Sequence, residues 1–416
     1  MPLHWKASAC LLLATVFAAP PANATMALIA DGTLTDSAAG HLADLSGLTG
    51  TLENGAPANL LGGLGSGIAY AGGNTFLAVP DRGPNAVSYN SKVDDTVSYI
   101  NRFQTVTMSL TPNASGAALP FTLTPTLTAT ILLSSPTPLT YGSGVALRVG
   151  SGAPAQNTAT QFYFTERSDN FDSTKNSGNP KQCALRSRID PGLERREERL
   201  HFRRVRALPL PIRQGDGSAH QELPTARQPL CQQFVAAGSR RDQRQYLRES
   251  GEQGDGGVGH NPPDGKTLAG IMQAELIQDP KNLLRIVTID IATGATHEYG
   301  YLLTTGSGVS DVVAINDHQF LVDERDGNGL GNGNAAKVKQ LFEIDLTNAT
   351  DINNLTGAAA TAAAVKKSLV LDLVTALNAN GIASDQIPAK IEGLAFVQDI
   401  DINGVLEHTL FVSNET

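Results

Sequence analysis

The sequence predicts an all-β fold of the β-propeller type, with six or seven blades and a short helical insertion near residues 357–380. Three observations support this prediction. A short β-prone run that ends in a carboxylate or amide recurs along the chain, a second strand and a tight turn often precede it, and the 416 residues include 41 Gly and 22 Pro. Radial repetition of hairpins, with roughly 40 to 60 residues to a blade, produces this pattern.

The repeated unit is a strand that ends in a polar or acidic residue, usually followed by Arg. It reads LAVPDR, FYFTER, FLVDER and LFVSNE at residues 77–82, 162–167, 320–325 and 410–415. Three of these runs complete hairpins that span 67–82, 312–325 and 393–415, with Gly, Asn and Asp in the turns. Further strands are predicted at 105–110, 121–133, 284–291, 296–303 and 340–346. The Ala- and Leu-rich stretch 357–380 predicts one or two short helices between blades.

The first 24 residues are predicted to be a secretory signal peptide. Lys6 precedes a largely apolar run at 9–19, and Ala22, Asn23 and Ala24 form an A-x-A cleavage pattern. The apolar run is too short to span a bilayer, and no later stretch is long enough to do so. We therefore expect a soluble protein, secreted or periplasmic, that is cleaved after Ala24 and has one domain over 25–416. Because the chain stops directly after a strand, the closing strand of the last blade is expected to be truncated.

Charge and cysteine content exclude several classes of protein. The net charge is -9 and the pI is about 5.4, so the field of the whole chain repels nucleic acid and anionic membranes. Three cysteines give no disulfide framework and no CxxC zinc pair. The histidines show no HExxH spacing, and the GxSxG pattern of a serine hydrolase is absent. A small-molecule partner and a monomeric chain are expected.

The segment from Gln182 to Asn261 differs in composition from the rest of the chain. It holds 14 of the 20 arginines and none of the 11 lysines. A basic, disordered insertion or an anion-binding arm would have this composition. A third hypothesis is translation out of frame between two compensating insertions or deletions. When the segment is written as degenerate codons and the reading frame is displaced by one base, the codons permit VFISDE and EGLAI. VFISDE fits the repeated strand, and EGLAI nearly repeats residues 392–396. We favour this third hypothesis, and under it residues 182–261 are non-native.

The repeated acids predict a specific chemistry. Equivalent strand ends converge on the central channel of a propeller, so one acid per blade makes a ring of oxygens of the kind that binds Ca²⁺. Arginines beside those acids could hold phosphate oxygens in forked hydrogen bonds. A cation there would neutralise a phosphate ester and lower the pKa of a bound water. The alternative, in which each acid pairs with its own Arg and caps the strand end, stays open.

Two loops rich in oxygen ligands give weaker signals. Residues 323–334, DERDGNGLGNGN, predict either a calcium-binding loop or a solvated Gly-rich loop. Residues 399–404, DIDING, match the opening of an EF-hand loop, but the twelfth position is Leu410 where an EF-hand has Glu. A hairpin turn is the favoured interpretation of 399–404.

Four stretches carry a family resemblance. They are GSGIAYAGGNTFLAVPDRGPNA at 65–86, FTERSDNFD at 164–172, VSDVVAINDHQFLVDERDGNGLG at 309–331 and the pair IEGLAF and HTLFVSNE within 391–415. Together they resemble the secreted bacterial proteins grouped as the esterase-like activity of phytase family. The resemblance implies a propeller-like fold and a hydrolytic activity directed at phosphate esters. Two acidic motifs of that family, SDEYG and MEGLA, are present only after the reading frame is displaced.

The resemblance and the repeat together give a set of expected site residues. The expected catalytic residues are Asp81, Glu166, Glu324 and Glu392, the expected phosphate-binding residues are Arg82, Arg167 and Arg325, and the expected Ca²⁺ ligands are Asp169, Asp323, Asp326 and Asn414. The predicted function is an exported, calcium-dependent phosphoesterase of the phytase-like kind, provided that the reading frame is intact. Three alternatives stay open: a non-catalytic ligand-binding propeller, a calcium-dependent carboxylester or lactone hydrolase, and an inactive frameshifted product.

Overall fold

The structure is a computed structural model. It describes residues 10–17, 26–34, 36–52, 55–80, 83, 98–138, 154–165, 257–260, 266–273, 275–276, 279–304, 306, 308–402 and 404–415. Most of these residues lie in antiparallel β-sheets, so the predicted all-β class is confirmed. Of the segment 182–261, only residues 257–260 are described. The displaced-frame hypothesis therefore falls almost entirely on residues outside the described part.

The strands are β1 (Cys10–Phe17), β2 (Ala27–Leu34), β3 (Asp36–Ser37), β4 (Gly40–His41), β5 (Gly67–Gly72), β6 (Thr75–Val79), β7 (Arg102–Pro112), β8 (Phe121–Leu132), β9 (Ser134–Ser135), β10 (Phe162–Tyr163), β11 (Gly257–His260), β12 (Thr267–Met272), β13 (Leu283–Asp290), β14 (Thr296–Leu302), β15 (Gly308–Ala314), β16 (Gln319–Arg325), β17 (Lys339–Asp345), β18 (Lys367–Asp372), β19 (Lys390–Phe396), β20 (Ile400–Ile402) and β21 (Val405–Glu415). The helices are α1 (Gly357–Ala362) and α2 (Leu373–Ala379). All the strands predicted from the repeated units and from the additional runs contain observed strand residues.

Four larger sheets dominate the described residues. Three have four strands, in the orders β5-β6-β7-β8, β11-β12-β13-β14 and β15-β16-β17-β18, and each is a simple antiparallel meander. The fourth, which we call the terminal sheet, has the order β19-β21-β1-β2, with β20 paired to β21. The first strands of the sheets lie side by side, because β5 contacts β19, β19 contacts β15 and β15 contacts β11. No closed propeller is detected among the described residues.

In the sheet β15–β18, burial falls from the first strand to the last. Strands β15 and β19 are buried on both faces over most of their length, whereas β8 alternates buried and exposed residues and is thus solvated on one face. Apolar side chains fill the space between successive sheets. Phe76 and Phe411 pack where β5–β8 faces the terminal sheet, with ring centroids 4.7 Å apart, and Leu321 and Leu394 pack where the terminal sheet faces β15–β18. Ser310 and Asp311 near the start of β15 and Glu392 near the start of β19 are buried within this row.

The terminal sheet joins the two ends of the described chain. Residues Leu13 to Phe17 of β1 pair with His408 to Val412 of β21, and the other edge of β1 pairs with β2. Strand β1 lies within the segment predicted to be a signal peptide, so cleavage after Ala24 would remove a strand from this sheet. Cleavage itself stays a prediction.

Two sequence interpretations of local structure can be compared directly with the structure. The turn at 399–404 is a hairpin, as favoured: Ile402 pairs with Val405, and the N–H of Gly404 donates to Asp401 Oδ1 at 2.7 Å. The stretch 357–380 does contain two short helices, but strand β18 lies between them as the outer strand of its sheet. None of the helices in the described ranges is both long and apolar enough to cross a membrane.

Candidate functional site

The ends of β15, β16 and β19 bring several acids together in the interior. Asp311 on β15 lies directly opposite Asp323 on β16, and side chains of directly opposite residues share one face of the sheet. Like charges in such a pair are destabilising, so this arrangement works against stability. Asp311 offsets part of that cost because its carboxylate accepts from the N–H of Val312 at 2.8 Å and from the N–H of Leu394 at 2.7 Å. The second of these bonds joins β15 to β19.

Asp323 is the unusual member of the group. Its side chain is fully buried, and neither carboxyl oxygen has a hydrogen-bond partner among the described residues. Burial raises its pKa to about 8; nearby Asp311 and Glu392 act in the same direction, against the charges of Arg325 and Lys339. A buried carboxyl that keeps its proton near neutral pH is a candidate proton donor.

A bulge places Glu392 next to Arg325. The pairing of β19 with β21 shifts register between Ile391 and Gly393, and Glu392 is the extra residue; the pairing of β15 with β16 shifts in the same way at Ser310. The Arg325 guanidinium donates to Glu392 Oε1 at 2.5 Å and also to the Ser310 hydroxyl. The two bulged residues of neighbouring sheets are therefore held by one arginine.

Glu324 faces the opposite side of β16, and its carboxylate is surrounded by donors. It accepts from the N–H groups of Thr304 and Gly306 at 3.0 and 2.8 Å, from the Tyr301 hydroxyl at 3.0 Å, and from the Lys367 ammonium. Lys367 also lies over the rings of Tyr301 and Phe342. Lys367 begins β18, so this buried ion pair joins the second strand of the sheet to its outer strand.

Asp326 lies in the loop after β16, and a lysine holds its carboxylate. Lys339 is fully buried, and its ammonium donates to Asp326 Oδ1 at 2.7 Å and to the backbone oxygens of Asp326 and Asn328, both at 2.9 Å. This environment is a poor fit for the predicted calcium ligand, because the ammonium already occupies the oxygens. Asn414, another predicted ligand, is buried on β21 opposite Ile391. Within the described ranges, no three His, Cys, Asp or Glu side chains are grouped so that they could share a metal ion.

The structure brings together some of the predicted residues and leaves others untested. Glu392, Asp323 and Arg325 form one cluster, whereas Glu324 and Asp326 lie to either side with cationic partners of their own. The predicted residues outside the described part of the chain are Asp81, Arg82, Glu166, Arg167 and Asp169. Their roles stay predictions.

Sequence reasoning missed Asp311, Ser310 and Lys339. A comparison of strand beginnings could have found the first two, because SDVVA at 310–314 occupies the same place before its hairpin as EGLAF at 392–396. No pattern in the sequence indicates that Lys339 is buried, because a lysine at the start of a strand is normally solvated.

Gly393 is required for the approach of β19 to its neighbours. A Cβ atom at this position would lie 2.3 Å from Ser413 Oγ and 2.8 Å from the Gly65 oxygen. We expect Gly393→Ala to destabilise the protein by about 1–3 kcal/mol and to lower activity by displacing Glu392. Urea unfolding and a hydrolysis assay would measure the two effects. The control is Gly50→Ala, where nothing lies within 4 Å of the added atom; equal stability of the two variants would contradict the tight contact.

Comparison with known proteins gives one match. Residues 261–412 match the model of the phytase-like family, described as esterase-like activity of phytase. The resemblance expected from the sequence is therefore confirmed for this segment, which contains β12 to β20 and most of β21. The match begins where the arginine-rich segment ends. No curated protein and no solved structure matches the chain. The match of this segment supports a hydrolase function of the esterase-like type.

Proposed function

We propose that the protein hydrolyses phosphate esters at the cluster formed by Asp311, Asp323, Glu392 and Arg325, hereafter the acidic cluster. The observation that carries the proposal is Asp323: a fully buried carboxyl with no partner among the described residues and a raised pKa, opposite a second acid. Such a group costs stability, which is typical of a functional site. The family match supports a hydrolase of the esterase-like type, and the cluster is the proposed site of the reaction.

The charges of the cluster suit a phosphate ester. Arg325 pairs with Glu392 in this cluster, and 12% of its side chain is exposed, compared with 1% for Glu392. A guanidinium fork matches two oxygens of a phosphate group, so the ester is expected to approach past Arg325. Asp323 in its protonated form can then give its proton to the leaving oxygen, while the Glu392 carboxylate accepts a proton from the attacking water.

Calcium stays part of the prediction. A bound Ca²⁺ would neutralise phosphate charge and lower the pKa of water. The Asp326 carboxylate does not fit this role because Lys339 holds it. A calcium site at the acidic cluster would need ligands from the predicted residues that lie outside the described ranges, such as Asp169.

The wider setting is also a proposal. The row β5, β19, β15 and β11 supports a propeller of six or seven blades, because inner strands of neighbouring blades lie side by side in that architecture. Secretion or export to the periplasm after cleavage at Ala24 accords with the acidic composition and the predicted leader. A monomer acting on a small soluble ester is the simplest assembly.

The test of the function compares two substrates and two metal conditions. The purified protein is assayed with p-nitrophenyl phosphate and with p-nitrophenyl acetate, each after removal of metal by a chelator and after addition of Ca²⁺. The proposal expects phosphate release that exceeds release of acetate, and the calcium prediction expects that chelation abolishes it and Ca²⁺ restores it. Hydrolysis of the acetate alone would favour a carboxylester hydrolase, and binding of phosphate esters without turnover would favour a ligand-binding protein.

A further inference from the structure

The loop after β16 contains a cation site that the protein fills with its own side chain. The loop, residues 326–334, places the backbone oxygens of Asp326 and Asn328 and the Asp326 carboxylate around one point. These three oxygens are the kind of ligands that a hard cation prefers. The Lys339 ammonium stands at that point, with three contacts of 2.7–2.9 Å. Three hydrogen bonds are all that an ammonium can donate, so the match is complete.

The pair is buried and charged. Lys339 is fully buried, and only 13% of the Asp326 side chain is exposed. Burial would raise the pKa of the Asp326 carboxyl, but hydrogen bonds from Lys339 and Asn328 lower it below its usual value. Asp326 is therefore ionised at neutral pH, and a negative charge at this depth requires a cation.

The loop is also tied to the strand that carries Glu392. The N–H of Leu330 donates to the Ile387 oxygen at 2.7 Å, and the N–H of Ala389 donates to the Leu330 oxygen at 3.0 Å. Gly329 lies so close to this segment that a Cβ atom there would be 2.5 Å from the Ile387 oxygen. Residues 387–389 lead directly into β19, so the fold needs this loop in one conformation.

We propose that Lys339 is the resident cation of the 326–334 loop. Its ammonium takes the place that a calcium ion would occupy and makes the loop independent of metal. Removal of the ammonium should convert the loop into a calcium-binding site. The loop lies beside the acidic cluster. The inference does not rest on the proposed function, because its test measures thermal stability and not turnover.

The first experiment compares neutral replacements of the pair. Lys339→Met leaves an unpaired buried carboxylate and is expected to lower Tm by about 5 °C. The double variant with Lys339→Met and Asp326→Asn removes both charges and is expected to recover more than half of that loss. If the double variant is no more stable than the single one, the pair is not the source of the effect and the proposal fails. Should Lys339→Met not fold at all, a folded double variant would still support it.

The second experiment tests the exchange of cations. Lys339→Ala leaves room for an ion, and its Tm is expected to rise with Ca²⁺ by more than that of the wild type. Ethylammonium, which resembles the deleted side chain, is expected to raise it as well. Adding Asp326→Asn to Lys339→Ala should remove the extra response to Ca²⁺. Equal responses of the wild type and Lys339→Ala to Ca²⁺, or an extra response that survives Asp326→Asn, would overturn the proposal.

Discussion

Asp323→Asn is expected to be more stable than the wild type above about pH 8 and to lose at least about 100-fold in phosphate ester hydrolysis. The folded-state pKa of Asp323 is raised to about 8 from its usual value of 3.8. Its protonated form therefore contributes stability that is fully present below about pH 4 and is lost as the pH rises through about 8. An amide at this position stays neutral at every pH, so the variant avoids that loss.

Urea unfolding at about pH 4 and about pH 9 would measure the difference. The two proteins should differ little at the lower pH and clearly at the higher one. Asp317→Asn is the matched control, since Asp317 is an exposed carboxylate in the turn of the same hairpin. It should change neither stability nor activity. A variant at Asp323 that is less stable than the wild type at both pH values would mean that the carboxylate has partners outside the described residues.

Glu324→Gln is expected to do the reverse, with a loss of about 3–5 kcal/mol in stability and little loss of activity per folded molecule. The carboxylate of Glu324 meets two backbone N–H groups, the Tyr301 hydroxyl and the Lys367 ammonium. An amide can satisfy the backbone donors with its oxygen, but its NH₂ group would then face the Lys367 ammonium. The buried positive charge is left without a partner, and this accounts for most of the expected cost.

A second change separates this explanation from a catalytic role. Adding Lys367→Met to Glu324→Gln removes the unpaired charge and should restore a large part of the lost stability, as measured by urea unfolding. Activity of the double variant should stay close to that of the wild type. If Glu324→Gln keeps full stability and loses activity, the catalytic role predicted from the sequence is the correct one, and the structural role proposed for this pair is wrong.

The strands were predictable because local pattern determines them. β-Branched and aromatic runs bounded by Gly, Asn and Asp define hairpins without reference to the rest of the chain, and the hairpin at Ile402 and Val405 is one example. Strand β18 was missed because it is a mostly solvent-accessible outer strand inside an Ala- and Leu-rich stretch that favours helix. Its first residue, Lys367, pairs with Glu324, which is 43 positions away in sequence. A partner at that distance is invisible to local pattern.

The candidate site was predictable only in part, for a similar reason. The repeat of a strand ending in acids identified Asp323, the family resemblance identified Glu392, and the family match now covers both. The repeat could not distinguish the neighbouring acids Asp323 and Glu324, which lie on opposite faces of β16. Their environments depend on Arg325, Lys339 and Lys367, which no repeat indicates. The displaced-frame hypothesis for residues 182–261 likewise depends on more than local pattern. The described part of this segment, β11, is the first strand of its sheet, as β19 is the first strand of the terminal sheet.

The pH dependence of phosphate ester hydrolysis by the wild type and by Asp323→Asn tests the role of the acidic cluster most directly. If Asp323 donates the proton to the leaving group, kcat/KM of the wild type falls as the pH rises through about 8. Asp323→Asn keeps only a low rate without this decline. A wild-type rate that stays level through pH 8, or an Asp323→Asn variant as active as the wild type, would contradict the assignment of Asp323 as the acid.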